Sequence, residues 1–282
     1  MPGAADVGLS AGIKAALADY LVASGDDELI LGHRLSEWCA HAPILEEDIA
    51  FANLALDEIG HASLWYTLAA ELRGEDAAAY PDQLVYTRPA GAYRCIQMVE
   101  LPNGDWAFSI LRQCLFDLHE QVLLEKLAAS PFPTLAAVAA KIRKEELYHA
   151  RHSRLWLQRL GLGTEESHRR MQTALDALWP YTTQLHQPLP GEATLISAGI
   201  VPPAEALQPA WESLVLPLLS ECSLTVPAPS HTQDPDHPSP IILHPSSFQT
   251  HLSGPRTQHT PHLPLLLADL QYLNRLYPSA AW

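Results

Sequence analysis

Two Glu-x-x-His pairs constrain this chain more than any other feature: Glu58 with His61, and Glu146 with His149. Residues three positions apart lie one turn apart on the same face of a helix, so each pair predicts a carboxylate and an imidazole that point the same way. Both groups bind transition metals. Two such pairs, completed by one glutamate from each of two further helices, form the ligand set of a dinuclear metal site in a four-helix bundle.

The first pair has a glutamate partner at the same distance from a predicted turn. Pro43 interrupts the helical pattern, and Glu28 and Glu58 each lie 15 residues from it. If the interruption is the turn of an antiparallel helix hairpin, residues equidistant from it lie side by side. A rise of about 1.5 Å per residue places both glutamates roughly 20 Å from the turn.

The second pair is matched in the same way. A Pro-Phe-Pro break ends at Pro133, and Glu120 and Glu146 each lie 13 residues from it. A single Glu-x-x-His is common on charged helix faces, but two of them with depth-matched glutamates are a far more specific signal. The candidate metal ligands are Glu28, Glu58, His61, Glu120, Glu146 and His149.

Apolar residues recur every three or four positions through four segments, which predicts four long helices. The segments are 10–42, with Ser24-Gly25 as a candidate interruption, then 45–72, 106–130 and 134–160. A connection over 74–103, with room for a short helix, separates the two hairpins. A long crossover of this kind is typical of ferritin-like proteins. The predicted fold is therefore all-α, a ferritin-like four-helix bundle with additional C-terminal helices.

The composition divides the chain into three regions. Residues 10–227 are predicted to form the ferritin-like bundle domain, with a fifth helix over 164–186 and a short one over 203–221. Residues 228–255 are rich in His, Pro, Ser and Thr, and their few periodic apolar residues indicate a flexible insertion. Residues 256–282 contain an amphipathic pattern over 262–277, which predicts a C-terminal helix that packs back onto the bundle.

Charge and cysteine content argue against several classes of protein. The net charge of −15 disfavours nucleic acid as a partner, because phosphate binding requires a basic surface. The four cysteines have no close or CxxC spacing, which disfavours a disulfide framework and fits a reducing cytoplasm. Cys39 and Cys114 fall in helical patterns and are predicted to be buried. No signal peptide is evident, and no apolar stretch reaches membrane-spanning length.

The alternatives to a metal site are charged helix faces exposed to solvent, or a vestigial core held by hydrogen bonds. The sequence context favours a metal site, because Glu58 and His61 lie among apolar residues. An unpaired charge buried there would cost several kcal/mol, so the carboxylates need a cation or a proton. The ligand types suit iron and manganese equally.

Other charged residues near the candidate ligands have two interpretations each. Asp117 lies one turn before Glu120 and is a candidate to orient a ligand histidine, although a local salt bridge is the commoner role. Glu145 is an alternative to Glu146, but only Glu146 stands three residues before His149. A basic cluster on the fourth helix could attract the phosphates of a nucleotide-like substrate, although a solvated helix face is the simpler interpretation. That cluster comprises Lys141, Arg143, Lys144, Arg151, Arg154 and Arg159.

Three strings of the sequence resemble a known family. They run from Gly32 to Pro43, from Met98 to Asp105 and from Leu267 to Leu273. In combination they resemble the C subunits of bacterial ring-1,2-phenylacetyl-CoA epoxidases, and the similarity covers residues 15–226 and 256–282. The resemblance implies a ferritin-like subunit of a cytoplasmic, multicomponent oxygenase that converts phenylacetyl-CoA to its ring epoxide. A reductase with flavin and iron–sulfur groups would supply the electrons.

The chain departs from that family in two respects. In the family the homologous A subunit holds the di-iron centre, and the C subunit is its scaffold and has lost most ligands. Here all six ligand positions hold Glu or His, and segment 228–255 resembles an insertion. Three hypotheses follow: an epoxidase subunit with its own di-iron or di-manganese site, a non-catalytic scaffold for the A subunit, and a stand-alone di-metal oxidase or ferroxidase.

Overall fold

The computed structural model describes residues 8–228, 255–278 and 280, and it contains helices but no β-strand within those ranges. The predicted all-α class is therefore confirmed. In chain order the helices are α1 (Ala11–Ser36), α2 (Leu45–Arg73), α3 (Tyr80–Thr87), α4 (Gln97–Glu100), α5 (Trp106–Leu127), α6 (Pro133–Gly161), α7 (Glu165–Leu178), α8 (Glu192–Ser197), α9 (Ala204–Glu221), α10 (His262–Leu270) and α11 (Tyr272–Leu276). Short 3-10 helices span Ala90–Ala92 and Trp179–His186.

The four long helices form two hairpins. α1 packs along α2, α5 packs along α6, and α2 meets α6 between the hairpins. Side-chain caps begin two of the four long helices: Ser10 accepts a hydrogen bond from the amide of Ile13, and Asp105 accepts one from the amide of Phe108. Gly74 ends α2 in the left-handed conformation, which glycine adopts without steric cost.

The end of the first helix differs from the prediction. α1 ends at Ser36 rather than Ala42, and the residues between them form turns in which Ala40 has a φ of 65°. Cys39 consequently lies in a turn and is exposed, so the prediction that it is buried is wrong. Cys114 on α5 is buried as expected.

α1 continues without a break through Ser24-Gly25, so the candidate interruption is absent. Close packing explains the glycine. A Cβ atom on Gly25 would lie 2.5 Å from Cε1 of Tyr66 on α2. The Tyr66 hydroxyl donates a hydrogen bond to Asp26 at 2.7 Å, which fixes the ring in this position. The two helices can therefore approach closely only where α1 lacks a side chain.

The connection between the hairpins is attached to α1 through polar contacts. Asp27 accepts a hydrogen bond from the amide of Ile96 at 2.7 Å, and Arg34 donates one to the carbonyl of Glu100 at 2.7 Å. The connection contains α3 and α4, where the sequence predicted a single short helix. The crossover is thus an ordered part of the bundle.

Residues 255–278 pack against the same connection. Arg256 donates a hydrogen bond to Asp27 at 2.7 Å, and His259 lies 2.6 Å from a carboxylate oxygen of Glu100. The predicted helix over 262–277 is divided into α10 and α11, and α10 buries three leucines in the core. Residues 229–254, which make up nearly all of the predicted insertion, lie outside the described residues.

The remaining predicted helices are present with altered ends. The fifth helix is α-helical only to Leu178 and continues as a 3-10 helix, where Pro180 lacks the amide that an α-helix would use. The short helix predicted over 203–221 is α9. Within the ranges described, no helix combines the length and apolar character needed to cross a membrane.

Candidate metal centre

The six predicted ligands are all buried, and none exposes more than 6% of its surface. Glu28 lies on α1, Glu58 and His61 on α2, Glu120 on α5, and Glu146 and His149 on α6. The four long helices therefore direct these side chains into the bundle. The simplest alternative, that these six side chains lie on solvent-exposed helix faces, is inconsistent with their burial.

Four of the six converge around one imidazole. One ligand-type atom from each of Glu28, Glu58, His61 and Glu146 lies within 4.8 Å of the other three. Nδ1 of His61 is 3.7 Å from Glu28 Oε2, 4.0 Å from Glu58 Oε2 and 3.4 Å from Glu146 Oε1. Atoms that each lie about 2.0–2.2 Å from one ion are separated by roughly 3–4 Å. The spacing therefore suits a shared cation.

A second group forms around the other imidazole. Glu58, Asp117 and His149 each offer an atom within 4.8 Å of the other two. Nδ1 of His149 lies 3.6 Å from Glu58 Oε1 and 2.9 Å from Glu146 Oε1. Glu58 belongs to both groups, and Glu146 lies beside both histidines. Two adjacent groups with common carboxylates can hold two cations about 3.5–4 Å apart.

Asp117 is the α5 carboxylate that approaches His149. It accepts hydrogen bonds from Gln113 Nε2 at 2.7 Å and from Ser153 Oγ at 2.5 Å. Gln113 also donates to Glu58 Oε1 at 2.8 Å. These contacts fix the Asp117 carboxylate beside His149, and the orienting role of Asp117 stays a prediction. Gln113 and Ser153 have no sequence signal of their own and were not among the predicted site residues.

Glu120 is a member of neither group. It lines a small polar cavity of about 40 Å³ that also borders Asp27, His119 and His186. Burial, followed by the charge of Glu146, raises the pKa of Glu120, so it lies within electrostatic range of the centre. Its role as a ligand remains a prediction.

The outward nitrogen of each histidine is held by an acid from the other hairpin. Nε2 of His61 lies 2.7 Å from Glu145 Oε2, and Nε2 of His149 lies 3.2 Å from Asp57 Oδ2. A carboxylate at one ring nitrogen orients the ring and leaves the other nitrogen for a metal. The sequence interpretation considered Glu145 only as a substitute for Glu146 and overlooked Asp57. The available signal was an acid directly before the glutamate of each Glu-x-x-His pair.

The inward atoms of the centre lack hydrogen bonds. Both carboxylate oxygens of Glu28, Oε2 of Glu58, Oε2 of Glu146 and Nδ1 of His61 are buried without a hydrogen-bond partner. Nδ1 of His149 and Oε1 of Glu146 are buried as well, and they lie 2.9 Å apart without the alignment of a hydrogen bond. Native cores rarely leave such atoms unsatisfied, because each one costs about 1–3 kcal/mol. These carboxylate oxygens and imidazole nitrogens point toward a common space, and both kinds of atom bind divalent iron or manganese. The donor set therefore fits a dinuclear metal group.

Protons occupy this centre when no cation does. Burial and the charge of Glu58 raise the pKa of Glu28 well above its ordinary value. Burial opposes a charge on His61, but the surrounding glutamates, Glu146 foremost, outweigh it and raise the pKa to about 9. The same balance raises the pKa of His149. A metal that binds here must displace protons from its ligands.

A third group of metal-ligand type, Cys95, Glu100 and His259, lies away from the bundle centre. Its hydrogen bonds are complete: Glu100 accepts from the amide of Thr260 at 2.6 Å and lies 2.6 Å from His259 Nδ1. Nε2 of His259 lies 3.0 Å from the carbonyl of Tyr93. The satisfied atoms indicate a structural contact rather than a metal site.

Two comparisons with known proteins identify relatives. The sequence model of a family described as "Phenylacetic acid catabolic protein" matches residues 9–282. The chain is also 38% identical to the C subunit of 1,2-phenylacetyl-CoA epoxidase from Escherichia coli (strain K12). That alignment spans 266 residues and covers 94% of this chain and 99% of the E. coli protein.

Proposed function

The chain belongs to the phenylacetic acid catabolic protein family, and we propose that it is one component of a multicomponent 1,2-phenylacetyl-CoA epoxidase, with a dinuclear metal centre of its own. The resemblance drawn from three short strings is confirmed, because the identity with the E. coli protein extends over 94% of the chain. The chain is thus a component of an oxygenase that acts in phenylacetate catabolism.

One observation carries the metal-binding part of the proposal. Buried, inward-facing atoms of Glu28, Glu58, His61 and Glu146 have no hydrogen-bond partner. A protein that only packs against a partner does not need these groups, because apolar residues in place of a buried charged cluster are often neutral or stabilising. Their presence in this arrangement supports a bound cation pair.

The proposed ligands are Glu28, Glu58, His61, Glu120, Glu146 and His149. Two redox-active cations, iron or else manganese, would supply the electron transfer that dioxygen chemistry requires. The chain itself orients the ligands: Glu145 and Asp57 hold the two imidazoles so that each Nδ1 faces inward. Four glutamates with two neutral imidazoles carry four negative charges, which two divalent cations neutralise. The apolar helix faces exclude bulk water from the centre.

The proposed partners are those of an epoxidase complex. They are the homologous ferritin-like A subunit, the reductase component, and a CoA thioester substrate bound in the assembled complex. We place the complex in the cytoplasm. The four free cysteines support this placement, because a reducing compartment keeps thiols unpaired.

A scaffold role is the second candidate function, and it is compatible with a bound metal. A cation that binds only the folded state stabilises that state by mass action. The centre would then stabilise the bundle while the A subunit performs the oxidation. A stand-alone di-metal oxidase or ferroxidase, which needs no A subunit, is the third candidate.

The test uses the complex reconstituted from this chain, the A subunit and the reductase. Metal analysis and a Mössbauer spectrum of the iron-loaded chain establish whether two metals bind. The variant Glu58→Ala/His61→Ala removes two ligands, and Ser63→Ala, at an exposed position of α2, is the matched control. Loss of epoxide formation with intact assembly supports a catalytic centre. Full activity with this site empty supports the scaffold role, and oxidation without the A subunit supports the stand-alone protein.

A further inference from the structure

The polar cavity beside Glu120, named here the α5 cavity, has a lining that ranges from partly exposed to buried. Its volume is about 40 Å³, which holds about three water molecules or one cation with part of its water. Leu189 and Ala204 line it and are partly exposed, whereas the buried His119 and Glu120 line it from α5. The cavity therefore leads from near the surface to the buried face of α5.

Glu120 links the α5 cavity with the candidate metal centre. Its side chain borders the cavity, and it also lies within electrostatic range of Glu146 and Glu58. Asp117, one turn earlier on the same helix, belongs to the group around His149. Rotation of a glutamate side chain between staggered rotamers moves its carboxylate by a few ångströms. Glu120 is thus placed to reach the cavity in one rotamer and the centre in another.

Two histidines of the cavity have ring nitrogens that lack hydrogen bonds. Nδ1 of His119 and both ring nitrogens of His186 are buried without a partner, and the two rings lie 5.1 Å apart. Burial lowers the pKa of His186 to about 4, so this imidazole is neutral near pH 7 and offers a lone pair. Unsatisfied buried nitrogens are rare in native proteins, and they indicate that the cavity receives a ligand.

The charges around the cavity favour a cation as that ligand. Asp27, Glu120 and Glu192 contribute three carboxylates to the lining. The guanidinium of Arg256 also lines the cavity, and it is paired with Asp27 at 2.7 Å. Carboxylate and imidazole both bind divalent iron and manganese.

The cavity is suited to the passage of a cation rather than to its retention. Among the described residues, its ligand-type atoms do not converge as those of the metal centre do. A cation there would keep part of its water and gain few protein ligands. The converging glutamates and histidines of the centre would bind it more tightly.

The other approach to the centre passes the outer carboxylates. Asp57 and Glu145 are 41% and 44% exposed, but they hold the ring nitrogens of His149 and His61 at 3.2 and 2.7 Å. A cation that entered there would have to break the contacts that orient its own ligands. Entry through the α5 cavity leaves both contacts intact.

We propose that the α5 cavity is the route by which divalent cations enter the candidate metal centre, and that Glu120 transfers them to the other ligands. His119 and His186 replace part of the water of the incoming cation. The inference rests on the proposed function, because it requires a centre that binds metal. A route determines how fast metal enters and leaves, and it does not determine how tightly metal is bound at equilibrium.

The first test narrows the cavity without changing a ligand. Ala204→Trp places a large side chain on the cavity lining, and Ala206→Trp is the matched control, because Ala206 is exposed on α9 and does not line the cavity. The metal-free chain is mixed with cobalt(II), whose visible absorption reports ligand binding, in a stopped-flow instrument. We expect Ala204→Trp to slow uptake and chelator-driven release about tenfold each with unchanged affinity, and the control to behave normally.

The second test removes a proposed contact of the entering cation. His186→Leu is expected to slow cobalt uptake several-fold with unchanged affinity. The control is His41→Leu, which alters an exposed histidine in the turn after α1. Thermal melting verifies that each variant is folded. Normal uptake in both cavity variants, or equal slowing in the controls, overturns the proposal.

The outcomes separate this inference from the proposed function. If the unaltered chain does not bind cobalt, the metal-binding part of the proposed function fails and the route falls with it. If the chain binds cobalt and the two cavity variants take it up at the normal rate, only the route is wrong. Cobalt binding that His186→Leu abolishes and Glu58→Ala/His61→Ala preserves would make the cavity itself the binding site and overturn the proposal.

Discussion

His61 on α2 is held by Glu145 on α6, and the reciprocal contact joins His149 on α6 to Asp57 on α2. The two contacts are equivalent. His61 lies four positions after Asp57, and His149 lies four positions after Glu145, so the crossed contacts show that the two segments run in opposite directions past each other. Each hairpin therefore orients a histidine that belongs to the other hairpin.

The crossed contacts predict a loss of metal affinity when either acid is neutralised. Asp57→Asn and Glu145→Gln are each expected to weaken iron or manganese binding by about 10–100-fold, because the imidazoles lose the partner that fixes their orientation. Competition titration against a chelator measures the effect. Glu71→Gln, at an exposed position of α2, is the control. Unchanged affinity in both variants would show that the outer carboxylates do not support the ligands.

Metal removal is expected to make the stability of the bundle depend on pH. In the metal-free protein the pKa of His61 is raised from 6.5 to about 9, so the folded state binds this proton more tightly than the unfolded state. The resulting stability is fully present below pH 6.5 and is lost as the pH rises through about 9. The raised pKa of Glu28 acts in the same direction.

Thermal melting on either side of that pH window provides the measurement. The chelator-treated protein should melt several degrees lower at the alkaline end. The metal-loaded protein should change less, because its ligands are already deprotonated. A metal-free protein whose melting temperature stays level or rises across the window would contradict the assignment.

Gly25 and Gly60 are expected to respond to alanine in opposite ways. Gly25→Ala would place a Cβ atom 2.5 Å from the Tyr66 ring, and overpacking of this kind typically costs about 1–3 kcal/mol. A Cβ atom on Gly60 meets nothing within 4 Å, so Gly60→Ala should stabilise α2 by about 0.5–1 kcal/mol. Denaturant unfolding of the two variants measures both effects. A stable Gly25→Ala variant would contradict the close approach of α1 to α2.

Thiol labelling is expected to distinguish one cysteine from the other three. Cys39 is exposed in the turn after α1, whereas Cys95, Cys114 and Cys222 are buried. Burial also raises the pKa of Cys114 to about 12, which keeps its thiol protonated and unreactive. A maleimide should therefore modify one thiol in the native protein and four after unfolding, as mass spectrometry would show. Rapid modification of a second native thiol would contradict the described packing.

The sequence predicted the helices and the convergence of most candidate ligands, because spacing along a straight helix is a local property. Because Glu28 and Glu58 are equally far from the turn at Pro43, the sequence alone predicted that they lie side by side. Spacing along the chain does not show whether Glu120 or Asp117 approaches His149. Both lie on α5, one turn apart, and the rotation of that helix decides which carboxylate approaches His149.

Contacts between the hairpins were also beyond the reach of the sequence pattern. Asp57 and Glu145 contact histidines that lie 92 and 84 positions away in the chain, and only the packing of α2 on α6 joins them. The end of α1 was placed too late, because the apolar spacing continues to Trp38 after the helix has stopped at Ser36. Periodicity reports which residues face the core, but it does not report where the backbone turns.

The contact of Arg256 with Asp27 joins the residue before the candidate ligand Glu28 to one that is 229 positions later in the chain. A ribosome adds about 5–20 residues per second, so α1 leaves it roughly ten seconds or more before Arg256 is made. Throughout that interval Asp27 in the newly made first hairpin has no contact with Arg256. The order of translation therefore leaves α1 without this contact until the bundle is nearly complete.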